Sequence, residues 1–244
     1  MEQDFNLLSR EVVGRLKSCP ATIAVRSRLA NRVPIIPTHR DTHSGFKSLE
    51  LLLHMEIVLY PHPALRWKSN PLKEVTADVR KVARQMFDLM YEARGVGLAC
   101  NQVALPWRMF VLNLTGKPEE KSEEHVFINP TITKRKGSQE EEEGCLSFPK
   151  LYGQVRRAQE IVVEAFDLEG HGFELDLDDL PSRAVQHEVD HLDGVLFTDR
   201  MSEAGQREVA PTLADFEAHF RRQQQLGTLP SDDALRDRLK KLEP

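Results

Sequence analysis

Arg183-Ala-Val-Gln-His-Glu-Val-Asp-His-Leu-Asp-Gly194 sets two histidines four residues apart and a glutamate directly after the first. On a helix, residues i and i+4 share a face, so His187 and His191 can both aim a ring nitrogen at one ion ~2.0–2.1 Å away. Glu188 then stands near the ion's open position without being a ligand, which is where a general base belongs. The motif admits three readings: a zinc protease, another metallohydrolase, or a surface helix that merely contains two histidines. Ala184, Val185, Val189, Leu192 and Leu196 give this helix an apolar stripe, which argues for burial. Leu180-Pro-Ser182 opens it, with Pro181 or Ser182 near the first turn. Before it, Ile161–Asp167 and Phe173–Leu177 flank Leu168-Glu-Gly-His-Gly172, a hairpin with a glycine-rich turn. A buried helix after an antiparallel hairpin predicts an α+β fold.

The same pattern extends outward. Val79, Val82, Ala83, Met86, Leu89, Met90 and Ala93 recur at three- and four-residue spacing. They predict an amphipathic helix over Asp78–Arg94, with Thr76 as N-cap and Gly95 as its stop. Arg108–Asn113 and Val126–Asn129 read as strands, the second ended by Pro130. Ser202–Gln225 reads as a helix, and the last dozen residues as a polar, frayed tail. The sheets are expected to be mostly antiparallel, with no internal repeat.

Composition narrows the function classes. The 244 residues are 40 % hydrophobic and 29 % charged, which suits one compact domain of ordinary soluble character. No run approaches the ~20 apolar residues of a membrane span. A net charge of −5 argues against binding nucleic acid by broad phosphate attraction. Three cysteines, Cys19, Cys100 and Cys145, are too few and too odd for a disulfide framework, and point to a reducing, cytoplasmic setting. Residues 1–54 carry eight Lys/Arg and five Asp/Glu, a local +3 that leaves −8 for the rest. They are expected to be a weakly ordered extension, translated from a start upstream of Met55. An organelle presequence is the alternative, weakened by Glu2, Asp4 and Glu11. The expected division is an extension at 1–54, a catalytic domain at 55–203, and a C-terminal helix and tail at 204–244.

Two histidines do not complete a metal site. Downstream, the only further histidine is His219, without matching spacing, although acids abound. Upstream, Cys145 stands in Glu-Glu-Glu-Glu-Gly-Cys-Leu-Ser-Phe-Pro, Glu140 to Pro149. A thiolate there is a good soft ligand, while Cys145 taken alone reads first as a small buried hydrophobe.

Three stretches together resemble the peptide deformylase family: Gly95-Val-Gly-Leu-Ala-Cys-Asn-Gln102, Glu143-Gly-Cys-Leu-Ser147 and Gln186-His-Glu-Val-Asp-His191, in the family's order and spacing. Met55-Glu-Ile-Val-Leu-Tyr-Pro-His-Pro-Ala-Leu-Arg66 looks like the family's amino terminus, so the resemblance spans about Met55 to Met201. It implies sheets packed around a central metal-binding helix, and one divalent ion on Cys145, His187 and His191. The ion is expected to be Fe²⁺, with Zn²⁺, Ni²⁺ or Co²⁺ able to substitute. The implied substrate is the N-formylmethionyl end of a nascent peptide, with formate as a product and a transient ribosome contact. The resemblance further implies that a water acidified by the ion would attack the formyl carbon, with Glu188 moving its proton to the leaving amine. Gln102 and the backbone N–H of Leu146 are implied as oxyanion donors. Val96, Gly97 and Gly144 are implied to align the peptide main chain. Val96, Leu180 and Ala184 are candidates for the methionine pocket. Glu143 and Arg157 are expected to pair and brace the Cys145 turn.

The family motif usually has alanine where Cys100 stands, and Cys100 is read as packing. Glu140 and Glu141 make the approach to Glu143 unusually acidic. A metallopeptidase would need a downstream third ligand, and a non-catalytic paralogue would be expected to lack Glu188 or Gln102, both of which are present.

Overall fold

The computed structural model describes residues 36–37 and 55–244. The expectation for 1–54 therefore falls outside the described residues, apart from β1 (Ile36–Pro37), which pairs in parallel with β2 (Glu74–Val75).

Helix α1 (Ala77–Glu92) begins where Thr76 Oγ1 accepts a hydrogen bond from the Val79 N–H. It buries Val79, Val82, Ala83, Met86, Phe87 and Met90, each large apolar side chain contributing roughly 1.5–3 kcal/mol. Its stop lies one residue earlier than expected. Arg94 takes the left-handed conformation (φ 57°), and the Gly95 N–H closes the end on Met90 O at 2.8 Å.

A five-stranded sheet follows, ordered β3 (Gly97–Ala99), β4 (Met109–Leu112), β5 (His125–Lys136), β8 (Glu160–Phe166), β9 (Gly172–Asp178), with every neighbour antiparallel. Strand β4 is buried on both faces. Met109 and Val111 join the α1 core, while Phe110 and Leu112 join the core under α2 (Asp179–Leu192). The hairpin of β6 (Gln139–Cys145) and β7 (Phe148–Arg157) forms a separate two-stranded sheet. Helix α2 packs on the sheet and is joined to the hairpin through Arg183, whose guanidinium donates to Val155 O and Gln139 O, so the motif helix links the two.

The structure differs from the sequence reading in three further places. Strand β5 does not end at Pro130 but runs to Lys136, because the chain bulges there. Asn129 adopts φ 52°, and its side-chain amide brackets the Leu72 backbone, accepting from N and donating to O at 2.8 Å each. Strands β6 and β7 were not foreseen. Finally, the last dozen residues are not frayed. After α3 (Glu203–Gln225), α4 (Asp232–Lys241) buries Leu235 and Leu239, and Leu242 O accepts from Trp107 Nε1 at 2.8 Å.

Candidate metal centre and catalytic cleft

Each side chain of the site is delivered by a different constraint. Helix α2 presents His187 and His191 from one face, their rings 4.9 Å apart and nearly perpendicular. Cys145 ends β6, where a two-residue turn, Leu146–Ser147, reverses into β7. The extended segment at Met55–Tyr60 holds both remaining loops: the Val58 N–H bonds Gln102 O at 2.8 Å, and the Tyr60 N–H bonds Ser147 O at 3.0 Å.

The donor atoms of Cys145, His187 and His191 lie within 4.8 Å of one another. Cys145 Sγ stands 3.2 Å from His191 Nε2. A tetrahedral ion holding sulfur at ~2.3 Å and nitrogen at ~2.0–2.1 Å would separate them by ~3.5 Å, so the donor set fits a divalent cation. His187 Nδ1 lies 3.2 Å from Glu143 Oε2, which leaves Nε2 as the donor. A carboxylate behind a ligating imidazole is the usual means of fixing its tautomer.

Glu143 is itself gripped. Arg157 Nε and Nη2 donate to its two oxygens at 2.6 and 2.9 Å, and Arg183 Nη1 donates to Oε1. Burial alone would raise the Glu143 pKa, but the His187 and Arg157 hydrogen bonds outweigh it and hold the carboxyl well below its usual range. Arg157 Nη1 continues to Asp190 at 2.8 Å, and Arg200 forks onto Asp190 at 2.7 and 3.1 Å. Of this chain, sequence reasoning named only Glu143 and Arg157. It missed Arg183, Asp190 and Arg200. Arg183 carried a signal, since it sits four residues before His187 and so on the metal-facing side of α2.

One cleft opens over the donors. Its lining includes Val96, Gly97, Gln102, Gly144, Cys145, Leu146, Leu180, Ala184, His187 and Glu188, so the suggested peptide-aligning and pocket residues share one space. His191 lies beneath, 1 % exposed. Burial pushes the Glu188 pKa up to about 7, and Glu188 Oε2 has no hydrogen-bond partner among the described residues. For His187, burial opposes protonation, but hydrogen bonds to Cys145 and Glu143 push its pKa well above the usual value. Burial, with His187 beside it, pushes His191 well below. Gln102 Oε1 is occupied by the Ala99 N–H at 2.9 Å, which turns Nε2 toward Cys145 Sγ at 3.4 Å and Ser147 Oγ at 3.3 Å. Two glycines make the cleft. A Cβ on Gly97 would sit 2.4 Å from Glu188 Oε1, and one on Gly95 would sit 2.8 Å from Leu146 Cδ1. Cys100 is fully buried against Met86 (Sγ to Sδ 3.5 Å), away from the donors, and burial pushes its thiol pKa up.

The family model for polypeptide deformylase matches residues 54–207. The chain belongs to the polypeptide deformylase family. The peptide deformylase of Rhodopirellula baltica is 46 % identical over 181 residues, covering 74 % of this chain and 90 % of that protein. That of Neisseria gonorrhoeae is 41 % identical over 165 residues, 68 % of this chain and 97 % of the relative. Among solved structures, peptide deformylase from Thermus thermophilus superposes with a TM-score of 0.62 at 39 % identity, covering 68 % of this chain and 99 % of its own. A plant peptide deformylase gives 0.67 at 38 %, covering 73 % and 96 %. This deformylase is a hydrolase that removes the N-formyl group from nascent peptides. No helix among the described residues is long and apolar enough to cross a membrane.

Proposed function

We propose that Cys145, His187 and His191 hold one Fe²⁺ ion, that Glu188 moves the proton of the attacking water, and that Gln102 Nε2 and the Leu146 N–H receive the developing oxyanion. The observation that carries this reading is the three donor atoms within 4.8 Å of one another, at the cleft where the Glu188 carboxylate lies. The ion, when bound, supplies a Lewis acid that acidifies water and polarises the formyl carbonyl. The residues do the rest. Glu188 has one oxygen without a partner and a pKa of about 7, suited to taking a proton at neutral pH and returning it to the leaving amine. Gln102 is held by Ala99 so that only its donor end faces the reacting group. Val96, Gly97 and Gly144 align the peptide main chain as an added strand, and Val96, Leu180 and Ala184 take the methionine side chain.

One thiolate and two imidazoles suit iron, zinc, cobalt and nickel alike, so the ligand set does not choose among them. Iron is what the family resemblance implies, and metal analysis of anaerobically purified protein tests it. Two buried free thiols support a reducing compartment, and in this reading the enzyme works in the cytoplasm and meets its substrate through a transient ribosome contact. Residues 55–203 form the catalytic unit in this reading. Mass spectrometry of the endogenous amino terminus tests its start and distinguishes an organelle presequence.

The test of the chemistry is formate release from a formyl-Met peptide by iron-loaded protein. Glu188→Ala should keep the metal and lose turnover by ~10²-fold or more. Loss of the metal instead would make Glu188 structural and overturn its assigned role.

A further inference from the structure

Behind α2, on a side of the helix turned away from the catalytic cleft, the ends of β5, β7 and α2 enclose a second concavity of about 270 Å³. It shares no lining residue with the catalytic cleft. Four arginines line it: Arg135 from β5, Arg156 and Arg157 from the end of β7, and Arg200 from the turn Phe197–Arg200. The only carboxylate in the lining is Asp190. We infer that this cleft binds phosphate oxygens.

The donors divide into a fixed floor and an open rim. On the floor, Arg157 and Asp190 are 5 % and 8 % exposed, and Arg157 spends all three nitrogens on Glu143 and Asp190. Asp190 also takes Nε and Nη2 of Arg200, which locks that guanidinium plane and leaves Nη1 over. On the rim, the Arg156 guanidinium has a single long contact, to Glu140 at 3.5 Å, and the Arg135 guanidinium has no hydrogen-bond or ion-pair partner among the described residues. Three guanidinium groups from three separate elements thus surround one space in a chain whose net charge is −5. Like charges gathered in a concave, low-dielectric wall focus a positive potential there. That arrangement suits a multivalent anion.

Geometry selects phosphate over carboxylate. A carboxylate has two oxygens in one plane and serves guanidinium groups that approach near that plane, as Asp190 does for Arg157 and Arg200. A phosphate group presents oxygens tetrahedrally and can meet several forks at once. The volume accommodates such a group with bound water. The site is local, so it is compatible with a protein that lacks a broad basic face.

Pyrophosphate and a short single-stranded RNA are the probes, each titrated into the metal-loaded full chain by calorimetry and fluorescence anisotropy. Wild type should bind pyrophosphate, and Arg135→Gln/Arg156→Gln should weaken binding about tenfold or more. Lys240→Gln, a charge removed on α4, should leave it within about twofold. Both altered arginines are exposed, and unchanged metal content and thermal midpoint will show that the double variant is folded. RNA that binds competitively with pyrophosphate, with a salt slope flattened by about 1.4 in the double variant, identifies backbone phosphates as the source. Pyrophosphate binding without RNA binding identifies a free phosphorylated ligand. Either result supports the site. Absence of pyrophosphate binding to wild type at millimolar concentration, or equal binding by the double variant, overturns it.

Discussion

At the scale of single residues, Gly97 shows how closely the proposed base is confined. A Cβ there would stand 2.4 Å from Glu188 Oε1 and 2.9 Å from Cδ, closer than any relaxed contact. Gly97→Ala must therefore displace the carboxylate, while the three metal donors, on other elements, are untouched. We expect metal content to be unchanged and kcat for formyl-Met peptide to fall by ~10²–10⁴, the range that general acid–base groups supply. Full activity in this variant would show that Glu188 does not act from its observed position. This constraint was only half legible in the sequence. The Gly-Val-Gly pattern announces an unusual backbone or a close approach, but φ at Gly97 is not in the left-handed region. The reason for glycine is a side chain 91 residues further on, which periodicity cannot reveal.

At the scale of elements, the hairpin β6–β7 and helix α2 are tied together by Arg183, Glu143, Arg157 and Asp190. Arg183 is 4 % exposed and donates to Glu143 and to the carbonyls of Val155 (3.1 Å) and Gln139 (3.3 Å). Removing one partner of a buried ion pair costs about 3 kcal/mol or more. Arg183→Met should lower stability by that amount in chemical denaturation. Metal affinity should fall ~10–100-fold in a chelator competition, because Glu143 orients His187. A variant with native metal affinity would separate the brace from the metal. The same network explains why the hairpin was not read from sequence. Strand alternation is a contrast of apolar with polar, and Glu140 to Glu143 offers none, although Glu143 points inward and is 7 % exposed. Its burial is made tolerable by arginines 14 and 40 residues away. In β7, Pro149 and Gly153 further mask the pattern. Helix α1 was legible because its cap, its stripe and its end are all local, and α2 because its histidines stand on an apolar stripe.

At the scale of the whole molecule, the C-terminal helices close over the amino-terminal edge of the described catalytic unit. Polar composition hid α4, which is anchored by two buried leucines, the Trp107–Leu242 bond, and the Asp232 carboxylate, which accepts from Arg221 Nη1 and Gln224 Nε2 at 2.8 Å each. Deleting residues 228–244 should lower stability by at most ~3–6 kcal/mol, the burial of Leu235 and Leu239. The catalytic cleft takes no residue from this segment, so formate release at low temperature should persist. Beneath α4 lies His62, 8 % exposed, whose Nδ1 accepts the Ala64 N–H at 3.1 Å. Burial, offset in part by Asp232 and reinforced by Arg238, pushes its pKa down to about 4. The imidazole is thus neutral in the fold, and the unfolded chain, with a pKa near ~6.5, binds its proton first as pH falls. Above pH ~6.5 the group has no effect. Between there and pH 4 it removes stability, about 2 kcal/mol by pH 5. Glu188 shifts in the opposite direction and partly masks this slope, so the comparison must be between two proteins. His62→Asn keeps an acceptor for Ala64 and cannot titrate. Its unfolding free energy should fall about 2 kcal/mol less than wild type between pH 7 and pH 5. The chain lacking 228–244, with His62 uncovered, should likewise lose much of that dependence. Parallel pH curves for wild type and His62→Asn would mean that His62 is solvated in solution and that α4 does not seal it.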